Sequence, residues 1–139
     1  MGKVKQAFIK ELRDGETSLN KILSPIVGTS SVSVGRRYLA LIDDKEVGFL
    51  YIDYLETEKY RNSICLYKIF VLPEYRNIGI GKILLQRTEE LCKLSGREKI
   101  LLNVHPLDGV TQKEKLVKWY LENGYKYAEE DDILMEKII

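Results

Sequence analysis

The chain has few of the residues that build metal and disulfide sites. Its 139 residues include one histidine, His105, and two cysteines, Cys65 and Cys92. A structural zinc site takes four such ligands at short spacing, so these three scattered side chains do not predict a metal site. Disulfide frameworks belong to secreted chains with closely spaced cysteines, and this pair does not form one. With a single histidine, the sequence also argues against a Ser–His or Cys–His nucleophile.

Long apolar runs and an excess of one charge are missing as well. The uncharged stretch 22–35 is rich in serine and glycine, whereas a membrane-spanning helix needs about 20 apolar residues. The 22 Lys and Arg nearly balance the 21 Asp and Glu, and nucleic-acid-binding domains usually carry a large positive excess. The first residues lack the apolar core of a signal peptide. The sequence therefore predicts a cytoplasmic protein with free thiols and without a membrane or nucleic-acid partner.

Length and composition predict one globular domain over residues 1–139. This length is ordinary for a single domain and permits a substantial core. The apolar share of 45% and the charged share of 31% are typical of soluble globular proteins.

Hydrophobic periodicity predicts the order of the elements. Apolar runs and alternation indicate strands, and apolar positions three or four residues apart indicate helices. The predicted strands cover residues 3–12, 38–42, 47–55, 64–72, 99–104, 125–128 and 133–138. The predicted helices cover residues 18–27, capped by Thr17 or Ser18, 80–94 and 116–121, with a loop at 27–36 and a turn at 106–109. This order indicates a mixed α/β sheet with helices packed on its faces.

The segment 71–82 lies between a predicted strand and a predicted helix, and it carries the features of an anion site. Gly79 and Gly81 remove side chains where the helix begins, so that a ligand could approach the backbone. The first N–H groups of a helix have no internal partner, and together with the helix dipole they attract anions. Arg76 and Lys82 add positive charge. The predicted phosphate or pyrophosphate cradle consists of Asn77, Ile78, Gly79, Ile80, Gly81 and Lys82.

Two common phosphate motifs do not match this segment. A P-loop requires glycine where Arg76 stands and serine or threonine where Ile83 stands. A dinucleotide fingerprint requires its third glycine where Leu84 stands, and the three preceding strands do not fit an opening βαβ unit. The pattern that matches is Arg/Gln-x-x-Gly-x-Gly/Ala, at residues 76–81.

Together with residues 69–75, this pattern closely resembles the acyl-CoA-binding motif of the GNAT N-acetyltransferase superfamily. Residues 119–125 resemble the second signature of that family, Tyr-x-x-x-Gly followed by an aromatic residue, and residues 133–137 resemble its last strand. The resemblance covers residues 38–139. Residues 1–36 match poorly, and in this family they help to shape the acceptor site.

The resemblance implies a mixed sheet of six to seven strands that is splayed between strands four and five, with helices on both faces. It implies that acetyl-CoA lies between those two strands and that the backbone of Ile69, Phe70 and Val71 pairs with the pantetheine arm. The amide of Val71 would polarise the thioester carbonyl as an oxyanion donor. Tyr120 would be the general acid that protonates the departing thiolate. A homodimer is also expected, since pairing is common in the family.

The predicted function is acetyl-CoA-dependent transfer of an acetyl group to a primary amine of a small molecule, a peptide or a protein. The alternative is a non-catalytic acyl-CoA-binding regulatory module that keeps the cradle. Tyr120 could equally be a core residue, and Arg76 could be a surface cation. The general base stays open between a water chain and the carboxylates of Asp53, Glu56 and Glu58, each of which could be a solvated surface charge.

Overall fold

The computed structural model describes residues 7–29, 35–107, 111–129 and 133–139. Its elements along the chain are β1 (Phe8–Leu12), α1 (Ser24–Val27), β2 (Gly35–Ile42), β3 (Lys45–Tyr54), β4 (Ser63–Val71), α2 (Ile80–Leu94), β5 (Lys99–Asn103), α3 (Lys113–Glu122), β6 (Lys126–Tyr127) and β7 (Leu134–Ile138). The predicted order of strands and helices is confirmed. No helix in the described part of the chain is long and apolar enough to cross a membrane.

The prediction for the N-terminal helix was wrong in its extent. Only Ser24–Val27 is helical, and the predicted cap does not act as one. The Ser18 hydroxyl instead donates to the Glu46 carboxylate, and the Asn20 side chain accepts the N–H groups of Ile22 and Leu23 in a local turn. Such side-chain bonds compete with a helix. The predicted loop 27–36 ends earlier, because β2 already begins at Gly35. Residues 30–34 of that loop and 108–109 of the predicted turn lie outside the described residues.

The strands form one sheet in the order β1-β2-β3-β4-β5-β7-β6. β1 to β4 are antiparallel neighbours, β4 and β5 are parallel, and β7 lies between β5 and β6. The parallel pair needs a long crossover, which α2 supplies. The mixed sheet of seven strands agrees with the expected fold class.

The sheet buries a core on each face. On one face, called the α2 face here, buried strand residues pack with α2 and α3: Leu50, Ile52, Ile64, Leu66, Ile100 and Leu102. On the opposite face, called the α1 face, Phe49, Tyr51 and Phe70 pack with Leu23 and Val27 of the N-terminal segment. Helices therefore cover both faces, as expected.

Arg37 on β2 attaches the N-terminal segment to the α1 face. Its side chain is fully buried, and its guanidinium donates to the carbonyl oxygens of Arg13 and Glu16 at 2.8 Å each and of Gly28 at 3.2 Å. A buried guanidinium needs such acceptors. Arg37 thus holds the chain around residues 13–28 over the part of the sheet that carries β4.

Candidate functional site

The parallel strands β4 and β5 separate after three residue pairs. Ser63, Ile64 and Cys65 face Lys99, Ile100 and Leu101, and the pairing ends there. β4 continues to Val71 with β3 as its ladder partner, while the end of β5 pairs with β7. The space between residues 66–71 of β4 and 102–103 of β5 is called the β4–β5 opening here. The expected splay between strands four and five is confirmed.

A β-bulge accounts for the separation. Lys68 faces Tyr51 and Leu66 faces Ile52, so Tyr67 is an extra residue on β4. A bulge bends its strand and increases the local twist. The bend therefore begins just after Cys65, the last residue of β4 that pairs with β5.

Alternate backbone groups of β4 point into the opening. The N–H of Leu72 donates to the Val47 carbonyl at 2.9 Å, and the carbonyl of Phe70 lies 3.1 Å from the position a Cβ would take on Gly48. Leu72 and Phe70 thus direct their backbone groups toward β3. Because these groups alternate along an antiparallel strand, Ile69 and Val71 direct theirs to the opposite side, into the β4–β5 opening.

Next to the opening, α2 begins with an exposed backbone turn. Gly79 is its N-terminal cap residue with φ of 96°, and no side chain caps the helix. A Cβ on Gly79 would meet nothing within 4 Å. The N–H of Ile83 is bonded to the Gly79 carbonyl at 3.0 Å, and the N–H groups before it are those that a helix leaves without internal partners. The predicted cradle thus presents uncapped amides beside the exposed side chain of Lys82.

At position 81 the structure explains glycine by helix packing, whereas the sequence suggested open approach of a ligand to the backbone. A Cβ at this position would lie 2.9 Å from Cζ2 of Trp119 on α3, well inside an ordinary carbon–carbon contact. The indole ring therefore occupies the space next to Gly81, and the residue permits close packing of α3 against the first turn of α2. Free approach of a ligand to the backbone is supported by Gly79, where the space is open.

Arg76 connects the loop to the end of β4. Its Nε donates to the Val71 carbonyl at 2.8 Å and its Nη1 to the Thr111 hydroxyl at 3.2 Å. The guanidinium also lies 5.1 Å from the centre of the Phe70 ring. These bonds fix the position of the loop relative to the end of β4, and Arg76 uses one of the two lone pairs of the Val71 carbonyl. Contact of Arg76 with a phosphate stays a prediction.

Tyr120 lies in the core rather than at the surface, with 3% of its side chain exposed. Its ring is 5.0 Å from that of Trp119 and 5.5 Å from that of Tyr125. Burial raises the pKa of Tyr120, which keeps the phenol protonated. Tyr125 is similarly buried, its hydroxyl has no hydrogen-bond partner, and its pKa is raised by burial and further by the nearby Glu89. This environment is compatible with Tyr120 as a proton donor and equally with Tyr120 as a core residue. The predicted acid role of Tyr120 therefore stays a prediction.

The three candidate carboxylates differ in the structure. Glu56 and Glu58 are exposed, whereas Asp53 is half-buried, and its Oδ1 atom is buried without a hydrogen-bond partner. Burial is the largest effect on Asp53 and raises its pKa. The charge of Arg97 lowers this pKa, and the charge of Glu56 raises it further. Asp53 could not be preferred from sequence, because its burial depends on the pairing of β3 with β4.

Some features of the described chain involve none of the predicted site residues. A cavity of about 310 Å³ between β1 and α2 is lined by residues such as Phe8, Ile83 and Glu90, and none of the predicted site residues lines it. Cys65 and Cys92 are free thiols. Within the described ranges, no group of three or more His, Cys, Asp and Glu residues could hold a metal ion.

Comparison with known proteins relates the chain to one family. A family model described as an acetyltransferase (GNAT) domain matches residues 34–127. The chain is 28% identical over 134 residues to spermidine N(1)-acetyltransferase of Thermoplasma acidophilum, covering 95% of this chain and 74% of that protein.

Two solved structures extend the comparison. PaiA N-acetyltransferase of Thermoplasma acidophilum in complex with coenzyme A has a TM-score of 0.59 at 28% identity, over 74% of this chain. The match spans only 60% of the solved chain. A GNAT family acetyltransferase of Elizabethkingia anophelis with acetyl-CoA bound has a TM-score of 0.67 at 16% identity, over 96% of this chain and 98% of that one, which is a likeness of fold.

Proposed function

The chain belongs to the GNAT acetyltransferase family, and we propose that it transfers the acetyl group of acetyl-CoA to a primary amine by direct attack. The observation that carries the proposal is the β4–β5 opening, which lies beside the uncapped start of α2. The pantetheine arm of coenzyme A is an extended chain with amide groups, and a free strand edge can pair with it. The pyrophosphate of coenzyme A needs exposed N–H groups. This region of the chain offers both.

The residues fit coenzyme A in two places. The backbone groups of Ile69 and Val71 would pair with the pantetheine arm, with Phe70 between them facing β3. The amides of Asn77–Lys82 would hold the pyrophosphate, with Lys82 adding charge at an exposed position. Acetyl-CoA supplies an acetyl group that is activated as a thioester. The structure of PaiA N-acetyltransferase of Thermoplasma acidophilum, 28% identical to this chain, contains coenzyme A, which supports this choice of donor.

Two groups of the chain would assist the transfer. The Val71 N–H would donate to the carbonyl oxygen as negative charge develops on it, a contribution that typically reaches 10²–10³-fold in rate. A bond forms between the amine nitrogen and the acetyl carbon while the carbon–sulfur bond breaks. Tyr120, held in its protonated form by burial, would give its phenolic proton to the leaving sulfur. The amine nitrogen loses one N–H proton as the amide forms, and a proton taken up from solvent in exchange would restore the phenol.

Spermidine is the first acceptor to test. The Thermoplasma relative at 28% identity is a spermidine N(1)-acetyltransferase, and the net charge of this chain, +1, does not favour another class of amine. We also propose that residues 1–139 form one domain, because both cores pack on the same sheet. The expected homodimer stays a prediction that a mass measurement in solution tests.

Thiol release from acetyl-CoA tests the proposed function. The purified protein is incubated with acetyl-CoA and either spermidine, a peptide with a free N-terminus or no amine. Thiol release that depends on an amine, with the acetylated product found by mass spectrometry, is the expected result. Binding of coenzyme A without turnover of any amine would favour the regulatory module instead. A protein that does not bind coenzyme A would contradict both functions.

A further inference from the structure

The indole of Trp119 touches the first turn of α2. A Cβ built on Gly81 would lie 2.9 Å from Cζ2, 3.4 Å from Cη2 and 3.8 Å from Cε2 of this side chain. The six-membered part of the indole therefore lies directly against the backbone of Gly81, one of the residues of the predicted pyrophosphate cradle. Because the Cβ would point at the indole, a side chain at position 81 would displace Trp119 and leave the cradle amides in place.

The same indole contacts the ring of Tyr120. The two ring centres lie 5.0 Å apart and the ring planes are inclined by 59°, which is within the range of 4.5–7 Å for interacting aromatic pairs. Consecutive residues of a helix do not face each other, so the helix alone does not impose this contact. A single side chain, that of Trp119, thus touches both the cradle and the predicted acid.

The backbone at the end of α3 is held independently of these rings. The Trp119 carbonyl accepts the N–H of Asn123 at 3.2 Å and its side-chain Nδ2 at 2.8 Å, and the Tyr120 carbonyl accepts the N–H of Tyr125 at 3.0 Å. The Tyr125 ring is the second aromatic neighbour of Tyr120, at 5.5 Å. Since the backbone is fixed, a change at Gly81 is transmitted to Tyr120 through the indole.

We propose that Trp119 is a positioning residue, whose indole sets the place of the Tyr120 phenol relative to coenzyme A held on the first turn of α2. This inference rests on the proposed function, in which the cradle holds the pyrophosphate and Tyr120 protonates the sulfur at the far end of the pantetheine arm. That proton transfer breaks the phenolic O–H bond and forms an S–H bond, and it needs the two heavy atoms within hydrogen-bond reach. A misplacement of about 1 Å can lower a rate by about 10²-fold.

The first test changes the contact from both sides. Gly81→Ala adds a methyl group where the indole lies, and Trp119→Phe removes the outer part of the indole and leaves a gap. With an amine that wild type acetylates, each variant should lower kcat by about tenfold. Coenzyme A affinity, measured by calorimetry, should stay within about threefold of wild type, since the cradle amides remain. In the double variant the alanine methyl group fills the gap, so kcat should recover to within about threefold of wild type.

The Tyr120→Phe background tests whether the indole acts through the phenol. The proton donor is absent there, so adding Gly81→Ala or Trp119→Phe should lower kcat by less than about threefold. The matched control is Leu121→Ala, which shortens the next side chain of α3. Leu121 is 49% exposed, and this variant should keep kcat close to wild type. Circular dichroism first shows that each variant is folded, and Trp119→Phe, which adds no atoms, carries the test where Gly81→Ala does not fold.

The third test needs neither coenzyme A nor turnover. Trp119 is the single tryptophan of the sequence, so the protein has one indole N–H resonance in an NMR spectrum. Gly81→Ala should shift this resonance, because the added methyl group displaces the ring. Leu121→Ala should leave it nearly unchanged.

Three results would each overturn the inference alone. They are single variants with kcat within about threefold of wild type, a double variant whose loss is the product of the two single losses, and equal losses with and without the Tyr120 hydroxyl. An indole resonance that Gly81→Ala leaves in place, or a loss confined to coenzyme A affinity, would also contradict it. Wild-type protein that binds coenzyme A and acetylates no amine would overturn the proposed function and this inference together.

Discussion

Replacing Gly81 by alanine tests the contact that joins the two helices of the site. The added Cβ would lie 2.9 Å from Cζ2 and 3.4 Å from Cη2 of Trp119, while carbon atoms in contact prefer about 3.5–4.0 Å. The rigid indole must therefore move by roughly 0.6 Å or more. Overpacking of this kind costs about 1–3 kcal/mol, and the better helix propensity of alanine offsets about 0.5–1 kcal/mol of it. We expect Gly81→Ala to lower the free energy of unfolding by about 0.5–2 kcal/mol.

A double-mutant cycle with Trp119→Phe isolates the contact. Phenylalanine lacks the outer part of the indole, so Gly81→Ala should be neutral or stabilising in that background. The interaction energy should be about 1–2 kcal/mol, within the range for residues in contact. The control is Gly79→Ala, where a Cβ meets nothing within 4 Å. Its cost comes from the left-handed φ, about 1 kcal/mol, and should be the same in both backgrounds. Urea denaturation followed by circular dichroism measures wild type, Trp119→Phe, and each glycine variant with and without Trp119→Phe. An equal cost of Gly81→Ala with and without the indole would refute this account of Gly81.

Two further predictions concern buried polar side chains. Tyr120→Phe should lower turnover by about 10²–10⁴-fold with unchanged coenzyme A affinity. Because burial raises the pKa of Tyr120, ionisation of this phenol should not reduce wild-type activity up to about pH 10. Turnover of Tyr120→Phe within about threefold of wild type would leave Tyr120 as a core residue. Tyr125→Phe is its control, since it removes an unpartnered buried hydroxyl and should raise the free energy of unfolding by about 1 kcal/mol with little effect on turnover. Arg37→Met should lower the free energy of unfolding by about 3 kcal/mol or more, because it leaves three carbonyl acceptors without their donor, and chemical denaturation with an unchanged midpoint would contradict this role of Arg37.

The order of strands and helices could be predicted from the sequence because the spacing of apolar residues is a local property. The helix at 80–94 and the strand at 99–103 follow from apolar spacing alone, and the glycine pair at 79 and 81 marks the start of that helix. The predicted helix at 18–27 failed because Ser18 and Asn20 bond to Glu46 and to local backbone, and the partner Glu46 is distant in sequence.

The less predictable parts of the site depend on contacts between distant segments. The extra residue at Tyr67 becomes visible only when β4 is paired with β3. The contact of Gly81 with Trp119 joins two helices, and the burial of Asp53 depends on strand pairing. A family resemblance supplied the splay and the candidate role of Tyr120, which apolar spacing could not give.

The most direct test of the account is a backbone amide NMR titration of the protein with coenzyme A. The amide resonances of Ile69, Val71 and residues 77–82 should shift most, because these N–H groups face the β4–β5 opening or begin α2. Amides of β1 beside the cavity at Phe8 should shift little. No binding, or shifts that centre on β1 while residues 69–82 stay unchanged, would contradict the proposal that this opening holds the acetyl donor.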